Sequence, residues 1–179
     1  MKYFEYFAHC VFHQEVKHCF ALLGDANMQI AAVMADLGIT FTYVQHEHCA
    51  VAASMAYARK TKTIGVSTVT CGPGLTQTTT ALPAAVRASI PLVIFAGESP
   101  LNKNWYNQQI EQRPLVEATG ARYLALHSHD RFEEGIQEAF LTAERDQIPV
   151  VIGTPFDLLH DDCTAPPKND YPLFKTYQE

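Results

Sequence analysis

Four things are scarce or missing in this chain, and each removes a class of function. No apolar run approaches the ~18–20 residues that a membrane-spanning helix needs. Thirteen Lys and Arg stand against nineteen Asp and Glu, a net charge of −6, and they are scattered rather than gathered in a stripe. Nucleic acid is therefore not an expected partner. The five cysteines (Cys10, Cys19, Cys49, Cys71 and Cys163) form no Cys-x-x-Cys pair, and their number is odd. Neither a disulfide framework nor a zinc ribbon follows, and reduced, mostly buried thiols are expected. The start, Met-Lys-Tyr-Phe-Glu-Tyr-Phe, carries an acid among its aromatics and no small-residue cleavage site, so a cytoplasmic location is expected.

What remains is a sequence that should fold. Hydrophobic residues make up 47% and charged residues 18% of 179, enough for the core of one domain. Apolar positions at Phe4, Phe7, Ala8, Val11 and Phe12 trace one face of a helix. The short apolar runs Cys19–Leu23, Phe41–Gln45, Ile64–Thr70, Leu92–Ala96, Tyr123–Leu126 and Val150–Gly153 read as six buried strands. Between them lie helical stretches at Asn27–Leu37, stopped by Gly38, and at His48–Lys60. A third starts near Leu75 and is expected to kink at Pro83. A helix or two, interrupted near Pro114, should reach Thr119. Asp130-Arg131-Phe132-Glu133 resembles a capping box opening a last helix to about Arg145. Strands alternating with helices predict a three-layer α/β fold, with a six-stranded, mainly parallel sheet and helices on both faces. Ligands in such folds sit at the carboxyl ends of the strands. That directs attention to Gly24, to His46-Glu47-His48 and to Cys71-Gly72-Pro73-Gly74.

Each of these has a plain reading beside a chemical one. Glu47 follows a strand and opens an Ala-rich helix, where any acid is favourable through the helix dipole. It also sits between two histidines at the ligand edge. Gly72-Pro73-Gly74 is a tight strand-to-helix turn, or a place where backbone approaches a ligand closely. It is not a dinucleotide fingerprint, since no third glycine follows, and no Gly-Lys-Ser/Thr makes it a phosphate loop. The pairs His46/His48 and His127/His129 lack further ligands at familiar spacing, so no metal site is assigned. Cys71 is read as a small spacer in preference to a nucleophile at a helix start.

Taken in register, the motifs resemble a family. His46-Glu47-His48, Tyr57-Ala58-Arg59, Gly65-Val66, Gly72-Pro73-Gly74-Leu75-Thr76, Ile90-Pro91 through Ala96-Gly97 and Ile148-Pro149-Val150 follow the order of the N-terminal, pyrimidine-binding domain of thiamine diphosphate enzymes of the acetolactate synthase and pyruvate oxidase group. The similarity spans Phe4 to Asp157. It implies that Glu47 hydrogen-bonds the ring nitrogen N1′ of the cofactor's aminopyrimidine and favours the imino form of its 4′-amino group. A carboxyl in that role should be partly buried. The resemblance further implies that Gly72, Pro73 and Gly74 line the pyrimidine, that the cofactor-binding turn at Gly24 approaches the same pocket or the substrate, and that His48, Gln109 and Gln112 lie near the substrate. Departures fall at Leu23, Cys71, Gln77 and His48, where the family often has Pro, Ser or Thr, Asn and Gln.

The family's diphosphate and Mg2+ are held by a separate domain through a Gly-Asp-Gly stretch, which does not occur here. The expectation is a pyrimidine-binding domain over 1–157, followed by an extended linker over 158–179 toward a diphosphate-binding domain or subunit. The whole would be a 2-oxo acid decarboxylase or carboligase, and a homodimer is expected. The alternative is a non-catalytic binding or oligomerisation module that keeps the fold.

Overall fold

In a computed structural model, residues 1–163 are described. Helix α1 (Tyr3–Phe12) leads into β1 (His18–Ala21), α2 (Met28–Asp36), β2 (Thr40–Tyr43), α3 (Glu47–Thr61) and β3 (Gly65–Val69). Then come α4 (Pro73–Thr76), α5 (Ala81–Arg87), β4 (Leu92–Glu98), α6 (Gln112–Glu117) and β5 (Arg122–Ala125). A 3-10 turn (His129–Arg131), α7 (Phe132–Asp146), β6 (Pro149–Pro155) and α8 (Phe156–Leu159) complete it. The six strands form one sheet in the order β2-β1-β3-β4-β6-β5, and every pairing is parallel, not merely most of them.

The handedness of parallel crossovers fixes where the helices go. The chain steps one way from β1 to β2, then back across β1 to β3 and onward to β4 and β5, before returning to β6. Helices on steps in one direction must cover one face, and those on steps in the other direction the opposite face. The buried clusters agree. Residues of α1, α2 and α7 pack with Cys19, Val66, Val93, Phe95, Val150 and Ile152. Residues of α3, α5 and α6 pack with Phe20, Val69, Leu92, Ile94 and Val151. The two lists interleave along each central strand with a period of two. On the first face Phe7 meets Phe95 with ring centroids 4.7 Å apart, and Phe132 is fully buried between helix and sheet.

Several local expectations change on folding. The strands are not all covered on both faces. β2 is an edge, with Thr40, Thr42 and Tyr43 exposed, and β5 is the other edge. Pro83 does not kink a continuous helix. The chain turns at residues 77–80, and Pro83 sits in the first turn of α5, where a proline is tolerated. Pro114 likewise lies in the first turn of a single α6 rather than interrupting one. Asp130 does not cap α7. His129 stacks flat on Tyr3 (3.7 Å, 5°) and its Nε2 lies 3.0 Å from the Leu158 carbonyl oxygen, and that anchorage holds residues 129–131 in a 3-10 turn ahead of the helix. Gly38, at φ +96°, does stop α2.

Residues 158–163 pack rather than trail away. Leu159 and Cys163 are buried, the Tyr3 N–H donates to the Asp161 carbonyl (3.1 Å), and Lys2 pairs with Asp162 (2.7 Å). The remainder of the expected linker lies outside the described residues. No disulfide joins any of the five cysteines, and Cys49 alone is exposed. Burial pushes the Cys10 and Cys19 thiols well above their ordinary range. A thiol-specific colour reagent should therefore react rapidly with one equivalent in the native protein and with none in Cys49→Ser. More than one fast equivalent in the wild type would contradict this packing.

Candidate functional site

The step across β1 opens a crevice between the carboxyl ends of β1 and β3, the usual place for a ligand in a doubly wound sheet. Three turns converge there: residues 22–27 after β1, 44–47 after β2, and 70–74 after β3. The first and third meet on the Thr70 side chain, and the second reaches the third through Glu47. A Cβ placed on Gly24 would lie 2.8 Å from Thr70 Oγ1, and one placed on Gly74 would lie 2.6 Å from Thr70 Cγ2 and 3.3 Å from Glu47 Oε1. Gly24 and Gly74 thus both pack on Thr70, Gly74 also borders Glu47, and neither glycine has room for a side chain.

Glu47 is the first residue of α3 and is partly buried. The helix start is closed by His46, whose Nδ1 accepts the His48 N–H at 3.1 Å in the way a Ser or Asp cap would. That leaves the Glu47 side chain out of capping. Among the described residues it makes no ion pair and no hydrogen bond, although the helix dipole favours its charge there. Beside it, Thr70 Oγ1 is buried and has no hydrogen-bond partner. Two polar groups in one crevice are therefore uncommitted, where buried polar groups normally find partners.

The other groups around the crevice are firmly tied. Asn27 is buried. Its Oδ1 accepts the Gly24 N–H (2.8 Å), and its Nδ2 donates to the Leu22 carbonyl (3.1 Å) and to Thr68 Oγ1 (3.0 Å). Thr68 in turn donates to the Phe95 carbonyl (3.1 Å), which links the first turn to the sheet centre. Gly72 has φ +58°, and a Cβ there would collide with the Gln108 carbonyl oxygen, so conformation and space both require glycine. Pro73 follows at the first position of α4. The Gly72 N–H donates to Gln112 Oε1 (2.8 Å), and Gln112 Nε2 donates to the Tyr123 hydroxyl (2.9 Å).

The sequence candidates therefore separate. Glu47, Gly24 and Gly74 come together, and Gly72 and Pro73 belong to the same turn. Gln112 is buried with both ends of its amide engaged inside the protein. Gln109 is exposed in the loop before α6, its N–H donating to the Tyr106 carbonyl (3.0 Å). His48 is partly buried one residue into α3. Cys71 is buried, its thiol pushed up by burial and donating to Gln108 Oε1 (3.3 Å), which does not favour a thiolate nucleophile. Among the described residues no group of three or more His, Cys, Asp or Glu side chains could hold a metal ion. The sequence reading missed Asn27, Thr70, Tyr123 and Glu98. Only Asn27 carried a local signal, as an amide where a helix begins.

Comparison with known proteins gives these turns a context. The family model described as "Thiamine pyrophosphate enzyme, N-terminal TPP binding domain" matches residues 1–119. Among curated proteins, 2-hydroxyacyl-CoA lyase 2 of Danio rerio is 32% identical over 148 residues, 81% of this chain and 24% of the relative. Acetolactate synthase 2, chloroplastic, of Zea mays is 31% identical over 149 residues, 80% of this chain and 23% of the relative. The acetolactate synthase isozyme 3 large subunit of Escherichia coli (strain K12) is 32% identical over 155 residues, 82% and 26%. The chain spans about a quarter of the length of these relatives.

The amide of Gln112 gives a stability prediction. Gln112→Leu leaves the Gly72 N–H and one side of the Tyr123 hydroxyl buried without partners. Each such loss costs roughly 1–3 kcal/mol, so urea unfolding should show a deficit of about 2–4 kcal/mol with an unchanged slope. A deficit under about 0.5 kcal/mol would mean that the bonds contribute nothing net.

Proposed function

The chain belongs to the thiamine pyrophosphate enzymes, matched through their N-terminal TPP-binding domain, and from that premise we propose that it supplies the aminopyrimidine-binding half of a thiamine diphosphate active site. The observation that carries the reading is the Glu47 carboxyl: partly buried, free of protein partners, and set against Gly74, which has no room for a side chain. The residues present fit such a group. A planar heteroaromatic ring needs a glycine-lined approach, and its ring nitrogen and amino group need a carboxyl and other polar atoms that are not already spent. For the first there is the Gly72-Pro73-Gly74 turn, whose Gly74 lies against Glu47, and for the second Glu47 with the unpartnered Thr70 hydroxyl.

When bound, thiamine diphosphate supplies the stabilisation of a carbanion next to a former carbonyl carbon. Glu47 would hold a proton on its carboxyl oxygen and share it with the pyrimidine ring nitrogen. Gly72, Pro73 and Gly74 would bring backbone against the ring, while Asn27 and Gln112 keep the two turns apart and rigid. The sequence holds no Gly-Asp-Gly stretch of the kind that grips the diphosphate. A diphosphate-binding domain or subunit, with Mg2+, would complete the site, and a small 2-oxo acid is the substrate class for a decarboxylase or carboligase of this kind. Support for such a partner comes from the apolar side chains left exposed at and near the carboxyl edge: Leu23, Met28, Tyr43, Leu101, Trp105 and Ile110. Trp105 is 76% exposed in the loop that crosses Gly72. A second copy of this chain would cover part of that surface, making a homodimer.

Two measurements test the reading. With a complementary diphosphate-binding half, Glu47→Gln should fold as the wild type does and lose 2-oxo acid turnover by about two to four orders of magnitude, the usual weight of a positioned proton-transfer group. Turnover within a few-fold of wild type would remove Glu47 from the proposal. Light scattering of the isolated chain should give twice the monomer mass, and a monodisperse monomer at high concentration would rule out the homodimer.

A further inference from the structure

Beyond the crevice, the Gly72 N–H is the inner end of a hydrogen-bonded chain that runs to the protein surface. Gly72 N–H donates to Gln112 Oε1 (2.8 Å), Gln112 Nε2–H donates to the Tyr123 hydroxyl oxygen (2.9 Å), and the Tyr123 O–H donates to Glu98 Oε1. The second carboxylate oxygen, Glu98 Oε2, meets His127 Nε2. The polarity of this chain is fixed by chemistry. A backbone N–H can only donate, so the Gln112 oxygen must face Gly72 and its NH2 must face Tyr123. The Tyr123 proton is then free only for Glu98. Burial, and after it the Glu98 carboxylate, holds Tyr123 above the ordinary tyrosine range, so that proton stays on the phenol.

Two further features show that the path is built into the fold. Gly153 in β6 lies beneath it, and a Cβ there would collide with the Tyr123 hydroxyl and lie 2.5 Å from Glu98 Oε1. Arg113 in α6 fixes the ring from the other side, with Nη1 donating to the Tyr123 carbonyl (3.2 Å) and Cζ 5.3 Å from the ring centroid. Exposure falls from the His127 side chain (51%) to Glu98 (16%) to the buried Gln112.

We infer that Gln112, Tyr123 and Glu98 are positioning residues for the Gly72 turn, and that His127 is the surface group through which solvent protons act on it. Every donor in the chain points toward the Glu98 carboxylate. That charge draws density along the bonds, making the tyrosine oxygen a better acceptor for Gln112 and the Gln112 oxygen a better acceptor for Gly72. An imidazolium at His127 offsets the charge and weakens the Gly72 bond. The titratable and charged groups facing this chain are Glu98 from β4, Tyr123 from β5, and Arg113 with its ion-pair partner Glu117 (3.0 Å) from α6. Its bearing on catalysis rests on the role proposed for Glu47, but the coupling itself is a property of this chain alone.

The test is nuclear magnetic resonance on the full chain labelled with 15N-glycine, which has only nine glycines to resolve. As pH falls through the titration of the His127 ring, the Gly72 amide proton should move upfield with the same midpoint, while the Gly38 and Gly65 amides stay still. His127→Gln, at an exposed position, and Tyr123→Phe should both remove that component. Tyr123→Phe should also raise Gly72 amide exchange by about tenfold, since one bond in the chain is gone. Histidines 46 and 48 flank Glu47, which borders Gly74, so a Gly72 response of unchanged midpoint and size in His127→Gln would assign it to them and overturn the inference. A flat Gly72 amide in the wild type while the His127 ring titrates would overturn it without any variant. Neither result touches Glu47, whose role fails or stands on the turnover of Glu47→Gln.

Discussion

The structure depends on a reversal of direction at β1. In an all-parallel sheet every connection must cross over, and crossovers have one hand. Placing β2 on one side of β1 and β3 on the other sends α2 and α3 to opposite faces, so no helix covers the gap between the carboxyl ends of β1 and β3. The crevice is therefore a consequence of topology, before any side chain is considered. What the side chains add is its width. Thr70 fills the floor, and Gly24 and Gly74 let the turns after β1 and β3 close on it. A methyl group on either glycine would press the turns apart at the point where Glu47 arrives from β2.

Much of this was legible from the pattern of residues. The strand and helix order, the parallel sheet and the position of Glu47 all follow from short apolar runs separated by helical periods. The stop at Gly38 was legible too, but several other breaks and caps were not. Pro83 and Pro114 look like interruptions in a linear reading, yet a proline is tolerated in the first turn of a helix, and the chain chose to begin its helices there. Asp130 has the spacing of a capping residue but lost to a tertiary contact, the stacking of His129 on Tyr3 from the opposite end of the chain. The His-x-His at residues 46 and 48, to which no metal site is assigned, uses its first ring as a helix cap, a role its spacing does not announce. Gln112, Tyr123, Glu98 and Gly153 are spread over four elements. No local pattern could assemble them, because what joins them is the insertion of β6 between β4 and β5.

The site contrasts with its surroundings in how its polar groups are spent. Around it, Asn27, Thr68 and Gln112 satisfy every bond within reach, and they do so across long sequence separations. At its centre, the Glu47 carboxyl and the Thr70 hydroxyl have no protein partner. Burying a polar group without a partner costs of the order of 1–3 kcal/mol, and a φ of +58° at Gly72 excludes any other residue without further cost. Ser67 Oγ and Thr154 Oγ1 are also buried without partners elsewhere in the sheet, so what marks the site is that Gly74 brings the Thr70 side chain and the Glu47 carboxyl together.

That contrast also separates the catalytic reading from a bare interaction module. A module that had only to pack against a partner could let its crevice collapse, since shape on the exposed edge would suffice for binding. Here the opposite is found. The exposed edge carries scattered apolar residues such as Leu101 and Trp105, while the ordered hydrogen bonds converge on the recessed turns. Holding backbone rigid around two uncommitted polar groups is the arrangement expected where a small, planar and partly charged molecule must be oriented with little reorganisation. A ligand bound there would add its free energy to the folded state, so under the proposed function the stability of this half and the assembly of a complete site would be two readings of one quantity.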